Sequence, residues 1–113
     1  MFNAEEFCEK NCPDIKHVYV FDPVDGVSTK ESKKYTIVNT NRLNDVYLIM
    51  HGMLTMFKKE VLANLCIIFY KFDTMCVGDP AKEHTRDELV TYIKTTMSDD
   101  LKKDGVQFFY VNE

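Results

Sequence analysis

The stretch LNDVYLIMHGMLTMFKKEVLANLCIIFYKF, residues 43–72, decides the fold because it joins two different hydrophobic patterns. Its first part places apolar side chains three and four residues apart, which is the spacing of an amphipathic helix with one buried face. Thr40 and Asn41 stand just before it and predict the N-terminal cap, since their side chains can accept a hydrogen bond from a free helical N–H. The apolar positions are Leu43, Val46, Tyr47, Met50, Met53, Leu54, Phe57, Val61 and Leu62.

The second part, residues 65–72, is apolar almost throughout and mixes β-branched with aromatic residues. A short run of this kind is typical of a strand buried on both faces, so we expect a break near Asn64 and then a strand. The same residues also fit a continuing helix that has Val61, Leu65 and Phe69 on one side. Because periodicity alone does not separate the two interpretations, a helix through residues 60–73 stays open as the alternative.

A short helix and two strands are predicted before this stretch. Asn3 can cap a helix that begins at Ala4 and ends before Pro13. Residues 17–21 and 34–38 are rich in β-branched and aromatic side chains, which favour strands. Because turn residues and a polar loop join these two strands, we expect them to form an antiparallel hairpin.

A further helix and a terminal strand are predicted after this stretch. Thr85 and Glu88 have the spacing of a capping box, and Gly105 is placed to end the helix that follows. Residues 106–111 are apolar and aromatic and predict a last strand. The order is therefore α-β-β-α-β-α-β. It predicts a single α+β domain over residues 1–113, with two layers: a four-stranded sheet and helices packed on one of its faces.

The helical alternative for residues 60–73 would make the protein mainly helical with a small sheet. In that case two strands are followed by a helix that ends near Met53-Leu54, and then by the segment Val61-Leu62-x-x-Leu65-Cys66. This order of elements resembles the Skp1/elongin C type of BTB domain. The resemblance implies an adaptor in ubiquitin ligases.

The composition excludes several classes of partner. Hydrophobic residues make up 45% and charged residues 28% of the chain, and the formal net charge is −4, which is typical of a soluble globular protein. No apolar run reaches the about 20 residues of a membrane-spanning helix, and the acidic N-terminus lacks signal-peptide features. We therefore expect a cytoplasmic protein without membrane contact. The basic cluster Lys30, Lys33 and Lys34 is small, which argues against nucleic-acid binding.

Residues 18–26, VYVFDPVDG, resemble the strand and acidic loop that begin the haloacid-dehalogenase phosphatases. The resemblance implies that the aspartates of this loop carry the chemistry. However, that family needs two aspartates one residue apart, whereas two residues separate Asp22 from Asp25. We therefore favour a turn here and predict no catalytic residue.

The cysteines and histidines do not predict a metal site or a cofactor. Cys8 and Cys12 lie one helical turn apart, but the paired Cys-x2-Cys motif of structural zinc sites is absent from the sequence. Cys66 lies in the apolar run and should be buried, whereas Cys76 should be the most exposed thiol. For a cytoplasmic protein we expect free thiols, no zinc and no other cofactor.

The sequence favours a non-enzymatic protein that binds another protein. Aromatic residues, 12% of the chain, can anchor an interface, and small acidic proteins without catalytic motifs are often regulators or inhibitors. Some of these are viral or phage proteins that act on host machinery. The alternative is a protein that binds a small molecule, such as a nucleotide or a metal, or a small hydrolase. Its polar pocket would lie near Asp22, Asp25 and His51.

The predicted interaction site is the C-terminal strand, with Phe108, Phe109, Tyr110 and Val111. Successive side chains of a strand point to opposite faces, so Phe108 and Tyr110 share one face and Phe109 and Val111 share the other. At the edge of a sheet, the free backbone groups of this strand would pair with a second copy or with a partner's strand. We therefore expect either a homodimer or a complex with another protein.

Overall fold

A computed structural model describes residues 1–30, 33–78 and 84–112. The chain forms a 3₁₀ turn, Phe72–Thr74, and a π turn, Ile93–Met97, which joins the helices Arg86–Tyr92 and Ser98–Lys103 into one continuous helix. Within the described residues, no helix is long and apolar enough to cross a membrane. The elements in chain order are β1 (Phe2–Asn3), α1 (Ala4–Asn11), β2 (His17–Asp22), β3 (Val27–Ser28), β4 (Tyr35–Asn39), α2 (Leu43–Met56), α3 (Lys59–Leu62), β5 (Leu65–Tyr70), α4 (Arg86–Tyr92), α5 (Ser98–Lys103) and β6 (Gln107–Val111).

The sheet consists of four parallel strands in the order β4-β2-β5-β6. The predicted α+β fold is therefore confirmed. The strand expected over residues 65–72 is present at residues 65–70, and the helical alternative for residues 60–73 is wrong. All six residues of β5 are buried, since a neighbouring strand flanks it on each side and helices cover both of its faces. This burial explains why the segment is apolar without alternation.

The predicted antiparallel hairpin is wrong, because β2 and β4 run parallel, with Val18 opposite Tyr35 and Asp22 opposite Asn39. A parallel pair needs a crossover of about a dozen residues or more, and the chain between the strands, residues 23–34, is long enough. Part of this crossover, β3, pairs with β1 in a separate two-stranded sheet.

The two long helical segments lie on one face of the sheet, as predicted. Phe21, Ile67 and Phe69 point to this face and pack against α2 and the α4–α5 helix. The short helix α1 adds a third layer on the other face, where Cys8 and Cys12 pack among inward side chains of β2 and β5. Successive side chains of a strand point to opposite faces of the sheet, so an apolar central strand needs a covering layer on each face.

The helix termini confirm two of the three predicted N-terminal caps. Asn3 accepts a hydrogen bond from the Glu6 N–H at 3.0 Å, and Thr85 and Glu88 form the capping box. At α2 the N-cap is Arg42, without a side-chain cap, so the cap predicted from Thr40 and Asn41 is wrong. The first N–H groups of α2 instead donate to the carbonyls of Cys76 and Val77, at 2.7 and 3.2 Å.

Substitution at two positions will test this assignment of the core. Phe69 is fully buried and stacks on Phe21 at 5.3 Å between ring centroids, whereas Lys33 is exposed. Phe69→Ala should lower the free energy of unfolding by about 3–5 kcal/mol, because it empties a packed ring site. Lys33→Ala should change it by no more than about 0.5 kcal/mol. Urea unfolding followed by circular dichroism measures both values, and equal losses would contradict the assignment.

Candidate functional site

The predicted interaction strand, β6, lies at the edge of the sheet and pairs only with β5 among the described strands. The Val111 carbonyl accepts a hydrogen bond from the Lys71 N–H at 2.7 Å, so the backbone of Val111 is turned towards the β5 side. Backbone groups of a strand alternate in direction, which turns the N–H and C=O groups of Phe108 and Tyr110 to the open side. These two residues present the free backbone hydrogen-bonding groups of the edge.

The side chains of β6 are covered on both faces of the sheet, as its aromatic content predicts. On the α4–α5 face, Tyr110 stacks on Phe69 at 5.0 Å and meets Phe72 edge-on at 5.7 Å. On the α1 face, Phe109 meets Phe7 edge-on at 5.2 Å. Tyr110 still exposes 42% of its surface. The strand is thus held firmly while part of its outer border stays accessible to solvent.

Two lysines of the α4–α5 helix cover the aromatic side chains of β6. The Lys94 ammonium lies 5.2 Å from the Tyr110 ring centroid, and Lys102 lies 5.8 Å from that of Phe108. Both distances suit cation–π attraction. Burial raises the pKa of the Tyr110 phenol, and a hydrogen bond with the Ser98 side chain partly opposes this. The phenol is therefore neutral near pH 7.

The residues of β6 itself include none that commonly prevent strand pairing, and the nearby Lys94 and Lys102 belong to the α4–α5 helix. Edge strands commonly carry a charged side chain, a proline or a bulge, whereas β6 reads Gln-Phe-Phe-Tyr-Val. The other edge strand, β4, directly follows the two lysines Lys33 and Lys34. The strand β4, Tyr-Thr-Ile-Val-Asn, also lacks charge and proline, so the two edges differ in these preceding lysines and in the three aromatic residues of β6.

A groove of about 700 Å³ lies between α2 and α4. Its apolar part includes Leu48 and Tyr92, which expose 62% and 44% of their surfaces. Its polar part lies at the first turns of both helices. The sequence does not predict this groove. Leu48 lies outside the apolar stripe of α2, and one apolar residue on the outer face of a helix does not indicate a ligand site. The groove is lined by Arg42, Asn44, Asp45, Tyr47, Leu48, His84, Glu88, Leu89 and Tyr92.

The predicted polar pocket near Asp22, Asp25 and His51 is only partly present. Asp22 and Asp25 line a depression at the carboxyl ends of β2 and β4, but His51 stacks on Tyr47 in α2 and does not line it. The buried Asp22 carboxylate accepts three backbone N–H bonds, from Val24, Gly26 and Val27, at 3.0–3.1 Å. This carboxylate stabilises the turn after β2, so the catalytic role implied by the phosphatase resemblance lacks support.

Three of the four cysteines form a buried cluster, although Cys66 is distant in sequence from Cys8 and Cys12. The Cys12 thiol donates a hydrogen bond to Cys66 Sγ at 3.8 Å, and this sulfur–sulfur distance is far longer than that of a disulfide. Burial, followed by the hydrogen bond with Cys12, raises the pKa of Cys8 to about 12, and burial raises that of Cys66. Within the described residues, no three His, Cys, Asp or Glu side chains are arranged to hold a metal ion.

Comparisons with known proteins do not assign a family. No protein-family model, no curated protein and no solved structure matches the chain.

Thiol reactivity will test the arrangement of the cysteines. In the native protein at neutral pH, a thiol-specific disulfide reagent should react rapidly with the exposed Cys76 alone, because the clustered thiols are buried and inaccessible and burial raises the pKa of Cys8 and Cys66. In denaturant, all four cysteines should react. Cys76→Ser should abolish the rapid phase. Fewer than four reactive thiols in denaturant would reveal a disulfide or a bound metal.

Proposed function

We propose that this protein is a protein-binding domain that acts by adding a partner's strand to the β6 edge. The observation that carries the proposal is that β6 combines outward backbone groups at Phe108 and Tyr110 with a complete lack of charged residues and proline. A strand added there would gain main-chain hydrogen bonds at both positions, and pockets beside alternate side chains would provide selectivity.

The rigidity of the edge supports this mode of binding. Phe109 and Tyr110 are fixed by rings on opposite faces of the sheet, so the strand is already in its binding conformation. Binding then costs little conformational entropy on this side of the interface. A small protein that occupies a sheet edge of its partner can act as a regulator or inhibitor, and viral or phage inhibitors of host machinery would fit this description.

A cytoplasmic location suits the proposed role and the cysteines. Cys12 and Cys66 are in contact but remain thiols, and Cys76 is an exposed thiol. Reducing compartments preserve such thiols, whereas oxidising compartments favour disulfides. We therefore place the interaction in the cytoplasm.

Lysine substitution on the two edge strands will test the role of β6. Tyr110→Lys puts a charge beside the outward backbone groups, and partner recovery from a lysate of the source cells should fall about tenfold, equivalent to about 1.4 kcal/mol. Gln107→Lys, at an exposed β6 position, should weaken recovery in the same direction without removing a packed ring. The matched control is Thr36→Lys, at an exposed position of β4, which should leave recovery unchanged.

Thermal melts must show that each variant remains folded, because Tyr110 also packs on Phe69 and Phe72. In the complex, the amide hydrogens of Phe108 and Tyr110 should be protected from exchange. If the folded β6 variants recover the partner as well as the wild-type protein does, another surface mediates binding and the proposal is wrong.

A second candidate function, small-molecule binding, is favoured by the groove between α2 and α4. Its volume lies within the range of ligand sites, about 300–1,000 Å³, and its lining combines apolar side chains with a few polar groups. A ligand found by thermal-shift screening with nucleotides and small organic acids and amines should lose its stabilising effect in Leu48→Glu, at an exposed groove position. Met56→Glu, an exposed position on α2 outside the groove, is the control. A stabilisation that persists in Leu48→Glu would place the ligand elsewhere.

A further inference from the structure

We infer that, in the free protein, a second copy of the chain covers the β6 edge, with the two β6 strands antiparallel about a two-fold axis at Phe109. This inference rests on the proposed function, because it uses the same edge. It goes further by naming the occupant and the register. A closed dimer of this kind would join two four-stranded sheets into one continuous sheet.

The direction of the backbone groups restricts the possible registers. In an antiparallel pair, residues whose N–H and C=O groups face the partner must lie opposite one another to exchange hydrogen bonds. Phe108 and Tyr110 are the outward-facing residues of β6. When Phe109 lies opposite itself, Phe108 of each copy faces Tyr110 of the other, and both pairs exchange N–H···O=C bonds. This register also overlaps the whole of Gln107–Val111 with its symmetry mate.

The side chains fit the same register. Phe108 meets Tyr110 of the second copy twice on the α4–α5 face, and Phe109 meets its own equivalent on the α1 face. Aromatic cross-strand pairs are among the favourable ones in antiparallel sheets. No charged residue occurs in β6 itself, so no charged side chains lie opposite each other within the strand pair. The nearest charges are Lys94 and Lys102 of the α4–α5 helix, which lie over the rings of Tyr110 and Phe108 in each copy. The strand is therefore complementary to itself.

Site-directed cross-linking will test the occupant and the register together. In this register Gln107 faces Val111 of the second copy in a pair without backbone hydrogen bonds, with Cα atoms about 4.5 Å apart, within disulfide range. Gln107→Cys and Val111→Cys are prepared separately in a Cys76→Ser background, and one of them carries a mass tag. They are mixed and oxidised with oxidised glutathione. Each new disulfide forms with the loss of two protons and two electrons, which reduce one oxidised glutathione to two thiols.

The mixture should give the mixed dimer as the main cross-linked product. Each variant alone should remain without a cross-link. The two copies of residue 107 lie on opposite sides of the axis, separated by four residues of extended strand or about 14 Å, and the same holds for the two copies of residue 111. Tyr110→Lys, added to both chains, should abolish the cross-link. Light scattering of the wild-type protein should report twice the chain mass of 13.2 kDa.

Three results would overturn the inference: equal cross-linking of either variant with itself, absence of the mixed dimer from folded protein, and a wild-type mass of one chain at micromolar concentration. Circular dichroism establishes that the cysteine variants are folded. Because the cross-link is measured on the purified protein, its failure is distinct from failure of the proposed function. A monomer whose partner recovery is still lost in Tyr110→Lys would retain the proposed function and exclude the dimer.

Discussion

The structure depends on β5, a parallel strand with neighbours on both sides and helices on both faces. All of its residues are buried, so its N–H and C=O groups must be satisfied by β2 and β6, and its side chains must be covered from two directions. Ile67 and Phe69 bring α2 and the α4–α5 helix to one face, and Cys66 and Ile68 bring α1 to the other. The positions of the neighbouring strands and of the helices on both faces therefore follow from pairing with β5 or packing on it.

The prediction succeeded where the residues of one segment carry the information. An apolar run without alternation favoured a buried strand in residues 65–72, which the structure has at residues 65–70, and Asn3, Thr85 and Glu88 indicated caps through local hydrogen bonds. It failed where distant segments decide the outcome. The α2 N-terminus is satisfied by the carbonyls of Cys76 and Val77, more than thirty residues later in the chain. The parallel direction of β4 depends on the long crossover after Asp22, which turn residues alone do not reveal.

The candidate sites divide in the same way. The apolar composition of β6 predicted a strand that pairs with another strand, but its position at the edge follows only from the strand order. The groove combines Leu48 of α2 with Tyr92 of α4, two residues that are far apart in sequence and brought together by packing on β5. Similarly, Cys66 joins Cys8 and Cys12 only because α1 packs on the face to which Cys66 points. Sequence spacing could not reveal either cluster.

The two edges of the sheet differ in a way that folding stability alone does not require. A strand that pairs with β5 needs aromatic or β-branched side chains facing the helices, and Phe108 and Phe109 meet this need with contacts on either face. A lysine or a proline in place of Tyr110 would leave the contacts of Phe108 and Phe109 unchanged and would protect the protein from unwanted strand pairing. Tyr110 instead provides an uncharged side chain at the border, with 42% of its surface exposed, and Lys94 of the neighbouring helix lies over its ring. An edge that is well packed but unprotected risks aggregation, and that risk is removed if another strand regularly occupies it.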